Sequence, residues 1–172
     1  MQRRAEALIA ARADLHLGSA VVAIAAGGVV LANGMRLAAD RIVVATGATA
    51  PPWLADSGLA CDAKGFVRID SHLQSISHPF VFAAGDCAAP TDGPLPKSGV
   101  YAVREGPPLA VNLRRMARGL PLSAYHPQRR ALSLLTTGPR HAIASWPPWW
   151  AEGDWVWRWK DGIDRRFVVR YT

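Results

Sequence analysis

Cysteine is scarce in this 172-residue sequence: Cys61 and Cys87 stand far apart and outside any CxxC pair. That excludes a disulfide framework, and without a paired histidine cluster it also excludes a zinc site of ordinary spacing. No apolar run approaches the roughly 18 residues a spanning helix needs, and no signal-peptide core stands near the N-terminus. The expectation is therefore an intracellular, cytoplasmic chain. No internal repeat and no low-complexity tract occurs. Most telling, GxGxxG occurs nowhere, so the glycine-rich loop that cradles a dinucleotide diphosphate is missing.

What is present is enough for a folded core. Hydrophobic residues make up 50% of the chain, which places it among globular rather than disordered sequences. The formal net charge of +7 is unevenly spread. Residues 1–113 hold nine Lys/Arg and nine Asp/Glu, while residues 114–172 hold eleven and four. Such asymmetry marks either a surface for an anionic partner or a face balanced by a partner domain. Nucleic acid is excluded as that partner, because no basic segment coincides with a binding motif.

Along the chain, residues 2–12 read as a helix and Asp14-Leu15-His16-Leu17 as a short strand. Ala20–Ile24, Val29–Leu31 and Met35–Leu37 form a β-meander, split at Gly27-Gly28 and at Asn33-Gly34, where a type I′ turn is expected. Asp40–Ala45 follows as a buried strand running into Thr46-Gly47. Pro51-Pro52 is expected to break any helix, and Lys64-Gly65 to turn into a strand over Phe66–Ile69. Ser98 can cap a helix whose apolar positions are Val103, Ala110, Leu113 and Ala117, with a kink or a second helix at Gly106-Pro107-Pro108. Ala131–Thr136 and His141–Ser145 read as a hairpin across Gly138-Pro139. The C-terminus reads as a helix striped by Trp155, Trp159, Ile163 and Phe167.

One run concentrates the chemistry. Val81-Phe82-Ala83-Ala84-Gly85-Asp86 is an apolar strand that ends in a glycine and an acid. Open α/β sheets bind nucleotides at such carboxyl edges, where glycine admits a ligand close to the backbone and a carboxylate accepts hydrogen bonds from sugar hydroxyls.

The order of these elements resembles the pyridine nucleotide-disulfide oxidoreductase family of two-dinucleotide-domain flavoproteins. The matching pieces are Ala45-Thr46-Gly47, then Lys64–Asp70 (KGFVRID), Gln74–Pro79 (QSISHP), Ala84-Gly85-Asp86 and the following helix. Within that family the resemblance is to type II NADH dehydrogenase-like proteins. Pro96–Pro107 (PKSGVYAVREGP) and Trp157–Phe167 (WRWKDGIDRRF) are similar to the oxidoreductase module fused to selenide, water dikinase. The resemblance covers the chain but only the C-terminal half of the family's fold.

The resemblance implies a fold class of α/β. Residues 1–50 would be the C-terminal part of an NAD(P)-binding domain with its β-meander. Residues 51–119 would be the returning segment of a FAD-binding domain, and residues 120–172 a small C-terminal α+β interface unit. It implies FAD as cofactor and NAD(P)H as substrate, with electrons passing to an acceptor. Asp86 would bind the FAD ribityl chain, with Gly85 allowing close approach. Gly99, Val100 and Tyr101 would aim helix N-terminal N–H groups at the anionic end of the reduced ring, aided by Lys97. Thr46 and Gly47 would lie near both cofactors. Many relatives carry Gln where this chain has Glu105, so an acid facing the ring would alter its tuning, and one facing solvent would not.

The missing glycine loops imply a missing N-terminal half or partner chain, and a homo-oligomer is a further expectation. Cys87 reads as a small packed residue and Cys61 as an unremarkable loop residue, and His16, His72, His78, His126 and His141 show no ligand spacing. Six of the seven tryptophans fall in residues 146–159. Their helical stripe reads first as core packing, with peripheral contact to an anionic membrane as the alternative. A non-catalytic remnant or assembly subunit is the rival reading of the chain as a whole.

Overall fold

A computed structural model describes residues 2–172. In chain order the elements are α1 (Gln2–Ala10), β1 (Val21–Ala25), β2 (Gly28–Leu31), β3 (Arg36–Ala38), α2 (Pro52–Asp56), β4 (Val67–Ile69), β5 (Ala88–Pro90), α3 (Gly99–Ala117), β6 (Ser133–Gly138), β7 (His141–Trp146), β8 (Trp149–Gly153) and α4 (Asp154–Tyr171). The fold is mixed α/β. The chain packs as two units, one from residues up to Val44 together with Arg130–Thr172, the other from Ala45 to Arg129.

In the first unit the expected meander is present, in the order β1-β2-β3 and antiparallel throughout. Its second turn is not type I′. Gly34 has φ +84° but Asn33 does not enter the left-handed region, and the Gly34 N–H donates to the Leu31 carbonyl at 2.9 Å. This is a three-residue loop with glycine in the last, left-handed position. The Asn33 side chain accepts the Met35 N–H at 3.0 Å and stabilises it. Gly28, expected in the first turn, lies in β2 instead, where an added Cβ would stand 2.1 Å from the Leu37 carbonyl oxygen.

Two strand expectations in this region fail. Asp14–Leu17 forms no ladder, and Asp40–Ala45 is neither strand nor buried, with Val43 90% exposed. An apolar run becomes a strand only beside a partner whose N–H and C=O groups complete the ladder. Neither run has such a neighbour among the described residues.

The same unit contains the expected hairpin, β6 on β7, extended by β8 into a three-stranded antiparallel sheet that the sequence did not signal. Helix α4 covers this sheet by burying Val156 against Ala142 and Ala144. The predicted core stripe is displaced by one position. Trp155 is 57% and Trp159 44% exposed, their rings stacked with centroids 6.5 Å apart. Three i,i+4 ion pairs, Arg158–Asp154, Lys160–Asp164 and Arg165–Asp161, offset part of the basic excess. Between α1 and β8, Arg4 holds Glu152 in a two-pronged pair at 3.0 Å.

The second unit is built on a two-stranded parallel pair, β4 with β5, in register Val67↔Ala88 and Ile69↔Pro90. Its core joins Leu54, Val67, Ile69, Leu73, Ala83 and Ala88, with Leu109 of α3 packed against them. Cys87 packs on this core as expected, Cys61 packs on it too, and they lend weak S–H bonds to the carbonyls of Ala84 and Leu54 respectively. Pro52 does not break a helix but begins one, at the first helical position where its missing N–H costs nothing.

Val81–Ala84 is extended but makes only a single bridge, Gln74↔Phe82. Leu73, at φ +64°, turns the neighbouring segment away, so no ladder can propagate. Helix α3 runs unbroken through Pro107 and Pro108. The carbonyls that lose their donors belong to Val103 and Arg104, both exposed and so open to water. Its inward face is not the apolar stripe. Val103 and Leu113 are exposed, whereas Tyr101, Glu105 and Asn112 are buried.

Candidate functional site

Asn112 explains how α3 is held. Fully buried, it donates from Nδ2 to the carbonyls of His72 (2.8 Å) and Ser123 (2.9 Å) and accepts the Ser123 N–H at 2.8 Å. Both donors and the acceptor of the amide are engaged, so its orientation is unambiguous. The loop that receives it is shaped by Asp70. Burial alone would raise the Asp70 carboxyl, but bonds from the His72 ring and from the His72 and Gln74 N–H groups bring it below the usual carboxylate value.

At the other end of α3 sits the Gly85–Cys87 helical turn. Gly85 has φ +70°, and an added Cβ would lie 3.2 Å from the Ala102 Cβ, so this position needs glycine for conformation and for close approach to the helix. Its N–H donates to the Glu105 carboxylate. Glu105 is 3% exposed, and burial pushes its carboxyl above the usual range, against the pull of the Gly85 N–H and Lys97. The Asp86 charge pushes it further up. Glu105 therefore faces away from solvent and toward the backbone of the glycine turn.

Asp86 itself is exposed on that turn, and its side chain caps no helix. Around the turn a narrow concavity is lined by Gly85, Asp86, Lys97, Ser98, Tyr101 and Glu105. Lys97 donates to the Ala88 carbonyl and lies over the Phe66 ring, 4.1 Å from its centroid. Ser98 makes no side-chain cap, and its carbonyl takes the N–H groups of Tyr101 and Ala102. The Gly99 and Val100 N–H groups are left without a partner among the described residues, at the positive end of a 19-residue helix.

Lys97 also borders an open cleft of about 640 Å³, with Gly47, Asp62, Lys64, Phe66 and Arg68 on its walls. A cleft of this size is in the range that takes a cofactor-sized ligand. The structure therefore gathers Gly85, Asp86, Lys97 and Tyr101 in one concavity, sets Gly99 and Val100 at its rim, and puts Gly47 on the adjoining cleft. Thr46 is exposed and lines neither. Lys64, Arg68 and the inward Glu105 were not singled out as site residues by sequence, since a loop lysine, an arginine in a short strand and a polar helix face carry no periodic signal. The histidines remain unassigned, and no cluster of metal ligands occurs among the described residues.

The second unit thus brings together an extended segment, a glycine turn held beneath a long helix and N–H groups without a partner at that helix's start among the described residues. The chain belongs to the pyridine nucleotide-disulphide oxidoreductase family, whose model matches residues 2–117. It is 37% identical over 84 residues to the NADH dehydrogenase-like proteins MT1860 and Rv1812c of two Mycobacterium tuberculosis strains. That match takes in 49% of this chain and 21% of each relative. The crystal structure of Fdr9 shares the fold, with TM-score 0.59 and 24% identity, over 84% of this chain and 42% of that one. The chain thus spans about a fifth of the curated relatives and under half of the structural one.

Proposed function

We propose that this chain supplies the flavin-contacting return segment of a FAD-dependent oxidoreductase that oxidises NAD(P)H, of the NADH dehydrogenase-like kind. The observation that carries the reading is the Gly85–Asp86 turn beneath the α3 N-terminus. It offers one exposed carboxylate and a nearby ammonium on one concavity, next in sequence to two N–H groups without a partner among the described residues. That donor set suits FAD: Asp86 would accept from ribityl hydroxyls, while the Gly99 and Val100 amides would meet the negative charge the ring gains on reduction. When bound, the flavin takes up two electrons as hydride and passes them on; the protein's part is position and electrostatics. Lys97, held over Phe66, adds positive charge at the rim. Gly47 and the cationic wall of Lys64 and Arg68 suit the anionic part of a dinucleotide. The missing diphosphate loop would come from an N-terminal half or a partner chain, and the finer kinship with the dikinase-fused module rests on Pro96–Pro107 and Trp157–Phe167.

Titration of the purified chain with FAD, followed by the flavin's visible absorbance, tests this. A saturable signal weakened about tenfold or more by Asp86→Ala is expected, one charge-assisted bond's worth. No binding by the chain alone, and none when a glycine-loop half is added, would sink the reading.

A second reading is favoured by one observation, the exposure of Trp155, Trp159, Ile163 and Phe167 along one side of α4. Such a stripe beside arginines suits the surface of an anionic membrane, although no helix among the described residues is long and apolar enough to cross one. Co-sedimentation with vesicles should then rise with anionic lipid content and fall in Trp155→Ala/Trp159→Ala; indifference to both rejects it.

A further inference from the structure

The mechanism sketched above uses Asp86 but leaves unexplained the buried acid behind it. Glu105 is almost fully enclosed, yet its carboxylate is directed at a single backbone group, the Gly85 N–H, twenty positions earlier in the chain. It lies on α3 one turn beyond Tyr101 and Ala102, and Ala102 is the residue against which Gly85 packs. The same helix face therefore does two things: it seats the glycine turn by van der Waals contact and ties it by a hydrogen bond. No other hydrogen bond joins the backbone of the turn to α3 among the described residues.

We propose that Glu105 is a positioning residue, whose ionised carboxylate locks the Gly85–Asp86 turn and so makes the grip of Asp86 on FAD depend on the Glu105 proton. The proposal rests on the flavin reading above and deepens it. A carboxylate accepts an N–H bond about twice as strongly as a neutral carbonyl does. Protonating Glu105 keeps an acceptor in place but weakens it, and the turn loosens. The charged groups that bear on this proton are Lys97 before the helix and Asp86 on the turn; Tyr125 in turn feels the Glu105 charge along with Arg104 and Tyr101 of α3. The Tyr125 hydroxyl is itself buried without a partner, and burial followed by the Glu105 charge raises its pKa. Burial and Asp86 oppose the Glu105 charge, while the Gly85 N–H and Lys97 favour it, and the net effect is a proton held more firmly than on a free glutamate.

Two measurements on the full chain decide the matter. The first is the protection of the Gly85 amide against hydrogen exchange, read by NMR without flavin. The second is FAD affinity across the acid-to-neutral range. In the unsubstituted chain both should fall together on acidification, affinity by roughly fivefold. Glu105→Gln should hold Gly85 protection at the weaker level at every pH, with its dependence abolished, because an amide oxygen accepts but does not titrate. Glu105→Ala should lose Gly85 protection entirely; should it fail to fold, the Gln variant and the pH profile carry the test. Retention of the pH dependence of Gly85 protection in Glu105→Gln, or unchanged Gly85 protection in Glu105→Ala, overturns the proposal. A chain whose Gly85 protection follows Glu105 but which binds no FAD would instead refute the flavin reading and leave the positioning role standing.

Discussion

Replacing Asn112 by leucine keeps the same branched heavy-atom skeleton at a position with no solvent exposure, but removes all three of its hydrogen bonds. The His72 and Ser123 carbonyls and the Ser123 N–H then lose their partner inside the protein. A net hydrogen bond is worth about 0.5–1.5 kcal/mol, and a buried group left unsatisfied costs about 1–3 kcal/mol. The loop around Ser123 can relax toward water, so the three penalties will not add in full, and a loss of about 3–5 kcal/mol is expected. For a unit of this size that lowers the melting temperature by roughly 15–25 °C. Asn112→Asp should be no better, because it turns a carboxylate oxygen toward two carbonyls. Hydrogen exchange read by mass spectrometry should show protection lost first around residues 70–76 and 119–125, while β6–β8 stays protected. A loss under about 1 kcal/mol with those peptides still protected would show that the asparagine does not clamp the helix.

Other perturbations separate the remaining claims. Gly85→Ala forces an L side chain to φ +70° against Ala102 and should cost about 1–2 kcal/mol, read by urea unfolding, with weaker protection of the residue-85 amide. An unchanged midpoint would remove the argument for glycine there. Asp70 has a folded-state pKa below its ordinary 3.8, so its stabilisation is present above that value and lost as pH falls through the folded value. Asp70→Asn should therefore reduce stability at neutral pH and flatten the acid limb of the unfolding curve. Val156→Ala opens a gap beneath α4 and should cost about 2 kcal/mol, whereas Trp159→Ala, though a far larger truncation, should cost less than about 1 kcal/mol. The reverse order in thermal unfolding would mean that the tryptophan stripe, not Val156, seals the sheet.

Much of the local structure was legible because its causes are local. Glycines before or between apolar pieces marked turns at Gly27, Gly34 and Gly65, and all three have φ above +70°. The β6–β7 hairpin, the start of α3 at Ser98 and the helix at the C-terminus followed from punctuation and period in the same way. Ile42-Val43-Val44 shows the limit of such signals. Its composition is that of a buried strand, but burial and pairing depend on a neighbour that a local pattern cannot supply. Asn33-Gly34 shows a smaller one: the dipeptide marked the turn, and the hydrogen bond from Gly34 to Leu31 chose its type.

The glycine-acid pair after an apolar run, its distance from Thr46-Gly47 and the helix beyond it were determined by sequence alone, and they led to the oxidoreductase family. Only the tertiary structure decided which side of each helix faces inward. In α3 it turned the polar residues Tyr101, Glu105 and Asn112 to the interior, and in α4 it left Trp155 and Trp159 outside and buried Val156. The physical reason is that hydrophobic periodicity favours one face only by the free energy of its burial. A helix whose polar groups find matched backbone partners, as Glu105 does at Gly85 and Asn112 at Ser123, can bury its polar face instead.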